Sequence, residues 1–260
     1  MSAAQAALRA ELLKLRTTRS TVWTLVLTFV LSAGLALLVG LSMRNGFDRM
    51  APDARAAFDP VLISFYGLMI GEIAVVAFGV LFVGSEYTSG MVLASLTAVP
   101  RRGVFYGAKV LAGTLIAAGL SLVTGFAAFF AGQAALGSHG VSLGSAGALR
   151  ATLLACVHLT LMGVFAMGVA AVARGTALPL GIMIPLLFLD SQGLGNVPGI
   201  RTVAQYLPDQ VGFVMMRTVR PDRSSVGYRG FGPWTGLGVL LLWTAAAVVG
   251  GYLVLRRRDA

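Results

Sequence analysis

Charged side chains are scarce in this chain of 260 residues. Asp, Glu, Lys and Arg together make up 12% of the sequence, about half of their share in an average soluble domain. Cysteine occurs once, at Cys156, which excludes an intrachain disulfide and a cluster of thiolate metal ligands. We therefore expect neither redox chemistry nor a metal site on this chain.

Lysine is also rare, and its two copies lie outside any phosphate-binding motif. A Walker A loop needs Gly-x-x-x-x-Gly-Lys followed by Ser or Thr, because the loop backbone and the lysine hold the phosphates of ATP. Lys14 precedes Leu15 and Lys109 precedes Val110, so neither lysine fits. We expect no ATPase activity, no catalytic residue and no cofactor on this chain.

Apolar residues are abundant, at 57% of the sequence, and they fall in long blocks with almost no charge. A helix of about 20 such residues crosses the hydrocarbon core of a bilayer. The six blocks are residues 22–41, 61–84, 110–136, 151–173, 176–195 and 236–255. They predict an all-α polytopic membrane protein with six transmembrane helices in one domain, residues 1–260.

The fifth block gives the weakest of these six predictions. Its charge-free core covers only residues 177–189, contains Pro179 and Pro185, and reaches twenty residues only by including Asp190. Proline in a helix interior removes a backbone hydrogen bond. A re-entrant segment is therefore the alternative to a full crossing.

The formal net charge of +10 is explained by membrane topology. Cytoplasmic loops carry an excess of Lys and Arg, and 11 of the 20 basic residues lie on the cytoplasmic side if both termini are inside. Because basic residues flank the apolar blocks, we expect them to meet lipid headgroups rather than nucleic acid. Both termini are predicted to be cytoplasmic.

Two segments outside the blocks have helical apolar periodicity. Residues 3–19 place Leu8, Leu12 and Leu15 on one face, which predicts an amphipathic helix on the membrane surface. The alternative is a tail that only sets topology. The longest segment between the blocks, residues 190–234, contains enough apolar residues to lie at the membrane interface. It is predicted to lie outside the cell and to form short helices that dip into the outer leaflet.

Residues 86–102 are the most informative cytoplasmic segment. Thr88 or Ser89 is predicted to cap a short helix, and Pro100 limits its end. Its apolar stripe is predicted to consist of four residues, namely Val92, Leu93, Leu96 and Val99. With Glu86 before it and Arg101 and Arg102 after it, the helix is suited to a groove on a soluble partner. A connector lying on the membrane is the alternative.

Glu72 is a single acid inside the second block. A charged carboxylate in hydrocarbon costs several kcal/mol unless it faces protein or water. The sequence leaves open whether Glu72 lines a substrate path or forms a structural hydrogen bond. Gly67 and Gly71 precede it at the spacing that allows close helix packing, and we interpret His158 in the fourth block as a packed or hydrogen-bonded helix residue.

Taken together, these features resemble the permease subunit of a type-2 ABC exporter of the compact actinobacterial kind. The similarity rests on residues 11–16 (ELLKLR), on Glu86-Tyr87 followed by Gly90, on Pro100-Arg101-Arg102-Gly103 and on Lys109. Many members have threonine after this glycine, whereas this chain has Met91.

The resemblance implies partners and residue roles. An amino-terminal interface helix and a coupling helix after the second span would contact a separately encoded ATP-binding subunit, which would carry ATP and Mg²⁺. The coupling contact would involve Glu86, Tyr87, Gly90, Arg101 and Arg102, and the interface helix Glu11, Lys14 and Arg16. A second permease copy, identical or paralogous, would complete the pathway in a bacterial plasma membrane.

Two other classes remain open from the sequence. An ion-gradient-driven secondary transporter also needs several spans, but the chain has no internal repeat and only Glu72 as an obvious deep ion site. A non-transporting membrane scaffold or immunity protein would bind a partner without stimulating ATP hydrolysis. The transported substrate is not indicated.

Overall fold

The computed structural model describes Arg9 and residues 19–99, 101–191, 201–221 and 228–257. Within these residues the chain forms ten α-helices and no β-strand. The helices are α1 (Arg19–Gly46), α2 (Pro52–Ala56), α3 (Pro60–Thr88), α4 (Met91–Ala98), α5 (Arg102–Leu136), α6 (Ala148–Ala173), α7 (Ala177–Ser191), α8 (Arg201–Ala204), α9 (Pro208–Met216) and α10 (Pro233–Arg257).

Five of these helices, α1, α3, α5, α6 and α10, are long and apolar enough to cross a membrane. Each contains one of the predicted blocks and extends a few residues beyond it. The extension is largest in α5, which begins at Arg102 rather than near Val110. The chain is thus a multi-pass membrane protein, with five rather than six single-helix spans in its described part.

Helix α3 lies at the centre of the bundle and contacts α1, α5 and α6. It begins at Pro60 because the Asp59 carboxylate accepts hydrogen bonds from the N–H groups of Val61 and Leu62, and proline at the first position needs no donor. Unlike α7, it has no internal proline. It is therefore one continuous helix of 29 residues.

Small residues allow α1 to lie close against α3. A methyl group added at Gly67 would collide with the carbonyl oxygen of Ser32 and lie 2.7 Å from the backbone nitrogen of Ala36. These are backbone atoms, so they can move aside only if the two helices separate. The predicted contact surface at Gly67 is therefore the seam between α1 and α3, inside one protomer.

The helix contacts define two ends of the bundle. At one end, which we call the α4 end, α4 joins α3 to α5, and the Arg102 guanidinium donates to the carbonyl oxygen of Leu255 near the end of α10. At the other, the Asp59 end, Gln133 at the end of α5 donates to the carbonyl of Pro60. Gly40 of α1 lies against Gly132, so α1 begins at the α4 end, where α10 finishes.

The predicted fifth crossing by a single helix stays a prediction, because the described part of the chain breaks off inside it. The described part of α7 has 15 residues, contains Pro185 and rises about 22 Å at 1.5 Å per residue. It starts at the α4 end, where Gly175 lies against Gly84, and reaches the bundle centre at Leu187. Residues 192–195 of the predicted span lie outside the described residues.

Helix α9 lies between the bundle centre and the Asp59 end. Its Gly212 lies against the imidazole of His158 in the middle of α6. Arg217, directly after α9, accepts a hydrogen bond from Arg150 near the start of α6. Between α6 and α10, the described chain thus contains α7, which runs from the α4 end to the bundle centre, and α9, which lies between the centre and the Asp59 end.

The predicted amino-terminal helix, residues 3–19, falls almost entirely outside the described residues. Arg9 is helical and exposed, and Arg19 begins α1. Glu11, Lys14 and Arg16 lie outside the described part of the chain, so their role in an interface helix stays a prediction.

Candidate functional site

The short helix α4 forms the turn between two long helices at one end of the bundle. The backbone reverses at Gly90, where φ is +72°, a conformation that glycine adopts without the steric cost of a side chain. The predicted cap by Thr88 or Ser89 is wrong. Both hydroxyls donate instead to the carbonyl oxygen of Ser85, because α3 continues through Thr88 and its last carbonyls need donors.

Helix α4 has one face on the bundle and one face exposed. Val92 is 4% exposed, and Leu96 and Val99 pack against the core. Leu93 is 56% exposed and Met91 47%, so Leu93 does not belong to the predicted stripe. Residues 92, 96 and 99 share a helix face by their spacing, whereas residue 93 lies about 100° away. An apolar edge of α4 is thus left open to a partner.

A buried ion pair holds the base of α4. The Lys109 ammonium lies 3.0 Å from a carboxylate oxygen of Glu86, and both side chains are less than 10% exposed. The same ammonium lies 4.8 Å from the ring centre of Phe82 and 6.0 Å from that of Phe105, within range of cation–π attraction. This cluster ties the last turns of α3 to the second turn of α5.

The structure brings the five predicted coupling residues to the α4 end, in different environments. Glu86 points into the bundle, whereas Arg101 is exposed. Arg102 donates to the carbonyls of Leu255 and Arg256, and the half-buried ring of Tyr87 lies 5.8 Å from the Arg174 guanidinium. Gly90 makes the turn described above. Their contact with a partner stays a prediction.

Beyond the family resemblance, no role for Lys109 was predicted from the sequence. It stands at the edge of an apolar block, where basic residues usually mark the headgroup level. Helix α5 instead begins at Arg102, seven residues earlier, so Lys109 falls inside the helix. The available signal was that Glu86 follows the end of one apolar block and Lys109 precedes the start of the next. Such positions place an acid and a lysine at a similar depth on neighbouring long helices.

A second polar pair lies at the centre of the bundle. His158 Nε2 and Glu72 Oε2 are 3.3 Å apart, and the two side chains are 2% and 9% exposed. The other carboxylate oxygen and Nδ1 have no hydrogen-bond partner among the described residues. Two unsatisfied polar atoms at a buried site are uncommon, and they mark this pair as a place where a ligand or water is expected.

The Glu72–His158 pair could have been found from helix register. Glu72 lies twelve residues after Pro60 in α3, and His158 lies ten residues after Ala148 in α6. These offsets correspond to depths of about 18 and 15 Å, and the two helices start at the same end of the bundle. Of the two roles left open for Glu72, the hydrogen bond is present.

A pocket opens beside this pair, between α3, α7 and α9. We call it the central pocket. The described residues that line it are mostly apolar, and the polar ones among them are Tyr66, Glu72, His158 and Asp209. Its volume of about 30 Å³ leaves room for about two water molecules. The arrangement can therefore hold water or a proton-exchanging group, whereas a larger solute requires the helices to separate.

Metal binding finds no support in the described part of the chain. No group of three His, Cys, Asp or Glu side chains there is placed to hold a metal ion. Cys156 is a buried free thiol. The polar groups of the α4 end and of the central pocket are thus paired acids and bases rather than ligand sets.

A family model described as ABC-2 family transporter protein matches residues 7–190, about seven tenths of the chain. The match includes α1 to α6 and most of α7, and hence both the α4 end and the Glu72–His158 pair. No curated protein matches this sequence.

Proposed function

Because this chain belongs to the ABC-2 family of transporter membrane proteins, we propose that it is the membrane-spanning permease subunit of an ATP-driven exporter. A separately encoded subunit binds ATP and Mg²⁺ and hydrolyses the nucleotide. Two permease copies, identical or paralogous, enclose the substrate pathway. In this proposal the α4 end faces the cytoplasm of a bacterial cell, and both chain termini lie on that side.

The observation that carries the proposal is the exposed apolar edge of α4. Met91 and Leu93 protrude from a helix whose opposite face is packed against the bundle. Exposed apolar side chains grouped on one short helix at the end of a bundle are typical of a protein contact. A groove on the ATP-binding subunit is the partner surface that fits the family.

The cluster around Glu86 supports the transmission of movement from α4. Helix α4 is joined to α3 through Gly90, the Glu86–Lys109 pair joins α3 to α5, and Arg102 joins α5 to α10. A displacement of α4 by the ATP-binding subunit therefore acts on three long helices together. Rigid-body movement of packed helices is a common way to open and close a path.

The central pocket is the proposed part of the pathway in this protomer. It is lined mainly by apolar side chains, contains the Glu72–His158 pair and has a volume of about 30 Å³. A path of that volume is closed to any but the smallest solutes. Leu187 of α7 and Gly212 of α9 line it, and α9, with nine residues, is short enough to move relative to α3.

The second copy is supported by the exposed sides of the bundle. In the apolar windows of α1 and α10 only 22% and 17% of the residues are buried inside the protomer, compared with 72% for α3. These faces contact lipid or another permease copy. Lipid contact alone fits an isolated chain, so the oligomeric state is part of the test below.

A secondary transporter is the second candidate because of the Glu72–His158 pair. A buried acid and imidazole in hydrogen-bond contact are a suitable site for a proton that is carried with a substrate. That function predicts transport driven by a pH gradient in vesicles that contain this chain alone. The permease function predicts transport only with ATP and the partner subunit.

The test uses an ATP-binding subunit encoded beside this gene, with both proteins in lipid vesicles. We expect this chain to bind the subunit and to change its rate of ATP hydrolysis. Leu93→Glu should weaken association at least tenfold, because loss of a central apolar contact in an interface costs about 2 kcal/mol. Arg101→Glu is the matched test of the predicted basic contact.

Arg257→Glu is the control for Arg101→Glu. Both arginines are exposed at the same end of the bundle, so both variants change the charge equally. Equal effects would indicate general electrostatics rather than a specific contact. Unchanged association and hydrolysis in Leu93→Glu would overturn the assignment of α4, and crosslinking between copies reports the oligomeric state in the same vesicles.

A further inference from the structure

The Glu72–His158 pair leaves two polar atoms without a partner at the central pocket, which both residues line. Both side chains are at least nine-tenths buried. Glu72 Oε2 and His158 Nε2 lie 3.3 Å apart and satisfy each other, whereas Glu72 Oε1 and His158 Nδ1 have no hydrogen-bond partner among the described residues. A buried polar atom without a partner is costly, so both atoms favour a ligand that forms hydrogen bonds.

The contact between the two side chains determines which hydrogen bonds the ligand must supply. When Glu72 is ionised and His158 is neutral, the imidazole hydrogen is on Nε2, which donates to the carboxylate. Nδ1 then has a lone pair, and Oε1 is also an acceptor. The pair itself carries one negative charge and offers two acceptors, so the matching group is a cation with several N–H donors.

The size of the central pocket limits the group that can reach the pair. Its volume of about 30 Å³ is sufficient for a group of the size of a water molecule. A primary ammonium group is about that large and has three N–H donors. A trimethylated ammonium group is larger and has no N–H donor, so it neither fits the volume nor satisfies the two acceptors.

The pocket leads from the buried pair to the surface of the bundle. Tyr66 lines the pocket and is 41% exposed, whereas His158 is 2% exposed. The other lining side chains are mostly apolar, among them Met69, Ile73 and Leu187. Ligand sites commonly combine an apolar lining with a few polar groups that fix the orientation of the ligand. A ligand with its ammonium at the pair can therefore place an alkyl chain along this lining.

We propose that the central pocket binds the primary ammonium group of an amphiphile, either a single-chain amine or an aminophospholipid. The ammonium donates hydrogen bonds to Glu72 Oε1 and His158 Nδ1, and those to the carboxylate are strengthened by the opposite charges. As a statement about the class of substrate, this inference rests on the proposed permease function. As a statement about binding, it does not depend on an ATP-binding subunit.

A proton taken up by the pair competes with the ammonium. One additional proton gives either an imidazolium beside a carboxylate or a carboxylic acid that donates to Nε2, and Nδ1 carries a hydrogen in both cases. The negative charge and one acceptor are then lost. The other titratable side chains that line the pocket in the described part of the chain are Tyr66 of α3 and Asp209 of α9, and the Cys156 thiol lies against Gly125 of α5.

The experiment follows the His158 imidazole by solid-state nuclear magnetic resonance, with the full-length chain alone in phosphatidylcholine vesicles. The chain has two histidines, so His139→Gln leaves His158 as the only one in protein made with isotope-labelled histidine. The probe is octylammonium, labelled at the carbon next to the nitrogen. We expect a dipolar contact between this carbon and the imidazole nitrogens, and a shift of the Nδ1 resonance as the probe binds. No contact at any probe concentration overturns the proposal.

Two probes with the same alkyl chain test the recognition of the ammonium without any change in the pocket. Octyltrimethylammonium keeps the charge and has no N–H donor, and we expect no contact with His158. Octanol keeps one donor and has no charge, and we expect it to bind at least about tenfold more weakly, because hydrogen bonds between charged groups are the stronger ones. Equal contact from either probe overturns the proposal.

Two substitutions test the role of the carboxylate. Glu72→Gln keeps the size of the side chain and removes its charge, and it should raise the dissociation constant of octylammonium at least about tenfold. Asp53→Asn is the matched control, because Asp53 is an exposed acid at the Asp59 end, outside the pocket. Unchanged binding in Glu72→Gln, or an equal loss in Asp53→Asn, overturns the proposal.

Acidification tests the competition with a proton. An alkylamine, like the lysine side chain, stays charged at neutral and acidic pH. Once the spectrum shows a hydrogen on Nδ1, each further pH unit of acidification should raise the dissociation constant about tenfold, because the two ligands exclude each other. Binding that is unaffected by protonation of Nδ1 overturns the assignment of the hydrogen bonds.

The remaining comparisons separate the source of the ammonium and the dependence on the proposed function. Displacement of octylammonium by phosphatidylethanolamine supports an aminophospholipid, whereas binding that resists this lipid supports a single-chain amine. If octylammonium does not bind and this chain still changes ATP hydrolysis by its partner, the ligand class alone is overturned. If octylammonium binds and the chain neither contacts nor affects the ATP-binding subunit, the binding site stands and the permease function fails.

Discussion

The strongest single prediction concerns the buried ion pair beneath α4. Lys109→Met removes the ammonium and leaves the Glu86 carboxylate buried without its 3.0 Å partner. Methionine has nearly the same length as lysine, so the packing against Phe82 and Phe105 is largely kept. The change therefore tests charge rather than volume.

The expected cost follows from the distance and the burial. Coulomb's law gives an attraction of about 5–6 kcal/mol at 3.0 Å for an effective dielectric constant of about 20. Desolvation of the two ions offsets much of it, but loss of one partner from a buried pair costs about 3–5 kcal/mol. The double variant Glu86→Gln with Lys109→Met removes both charges. We expect its free energy of unfolding to lie within about 1 kcal/mol of that of the native chain.

The assay is the free energy of unfolding of the purified chain in mixed micelles, measured by titration with a denaturing detergent. A double-mutant cycle over Glu86→Gln and Lys109→Met should give a coupling of at least about 5 kcal/mol, because each single change costs about 3–5 kcal/mol and the double change about 1 kcal/mol or less. Arg101→Gln at an exposed position of the same end should change stability by less than about 0.5 kcal/mol. Additive single costs, or a cost below about 1 kcal/mol for Lys109→Met, would contradict this reasoning. Either result would show that water reaches the Glu86–Lys109 pair.

Three further changes test other parts of the bundle. Gly67→Ala should destabilise the chain by about 2 kcal/mol or more, because the methyl group meets the backbone of α1, whereas Gly34→Ala, with nothing within 4 Å, should be neutral or slightly stabilising in the same titration. Gly90→Ala should cost about 1–2 kcal/mol because φ is +72° there, and Gly90→Asn should recover part of that cost; the thermal midpoints of the two variants compare them. Asp59→Ala should lower the free energy of unfolding by about 2–4 kcal/mol, because the helix cap and the hydrogen bonds from Thr218 are lost. Hydrogen exchange at the first turn of α3 should become faster, and unchanged exchange there would contradict this account of the cap.

The long helices were predictable because the bilayer imposes a simple rule on the sequence. Five blocks with at most one charged residue correspond to five long apolar helices, since a helix satisfies its own backbone in hydrocarbon. The segment after α6 was less predictable, because the two prolines of the fifth block give its apolar composition no single structural meaning. That α9 packs with Gly212 against His158 is a contact that sequence composition does not contain.

The polar pairs show why site prediction from one sequence stays incomplete. Glu72 was recognisable as an acid in an apolar block, but its partner lies 86 positions later. Similarly, Lys109 stands at the edge of an apolar block in the sequence. Because α5 begins at Arg102, Lys109 lies inside the helix, beside Glu86. Composition locates a buried charge, whereas the identity of its partner depends on helix register and on which helices are neighbours.

The continuity of α3 has a mechanical consequence. Its 29 residues form one uninterrupted helix about 43 Å long. One end of this helix is hydrogen-bonded to Thr218 through Asp59, and the other end is paired with Lys109 through Glu86. Because a helix hardly compresses along its axis, an axial displacement of one end of α3 also displaces the other end. By thermodynamic linkage, two binding events that favour different positions of α3 change each other's affinity by the same factor, although they take place on opposite sides of the bilayer.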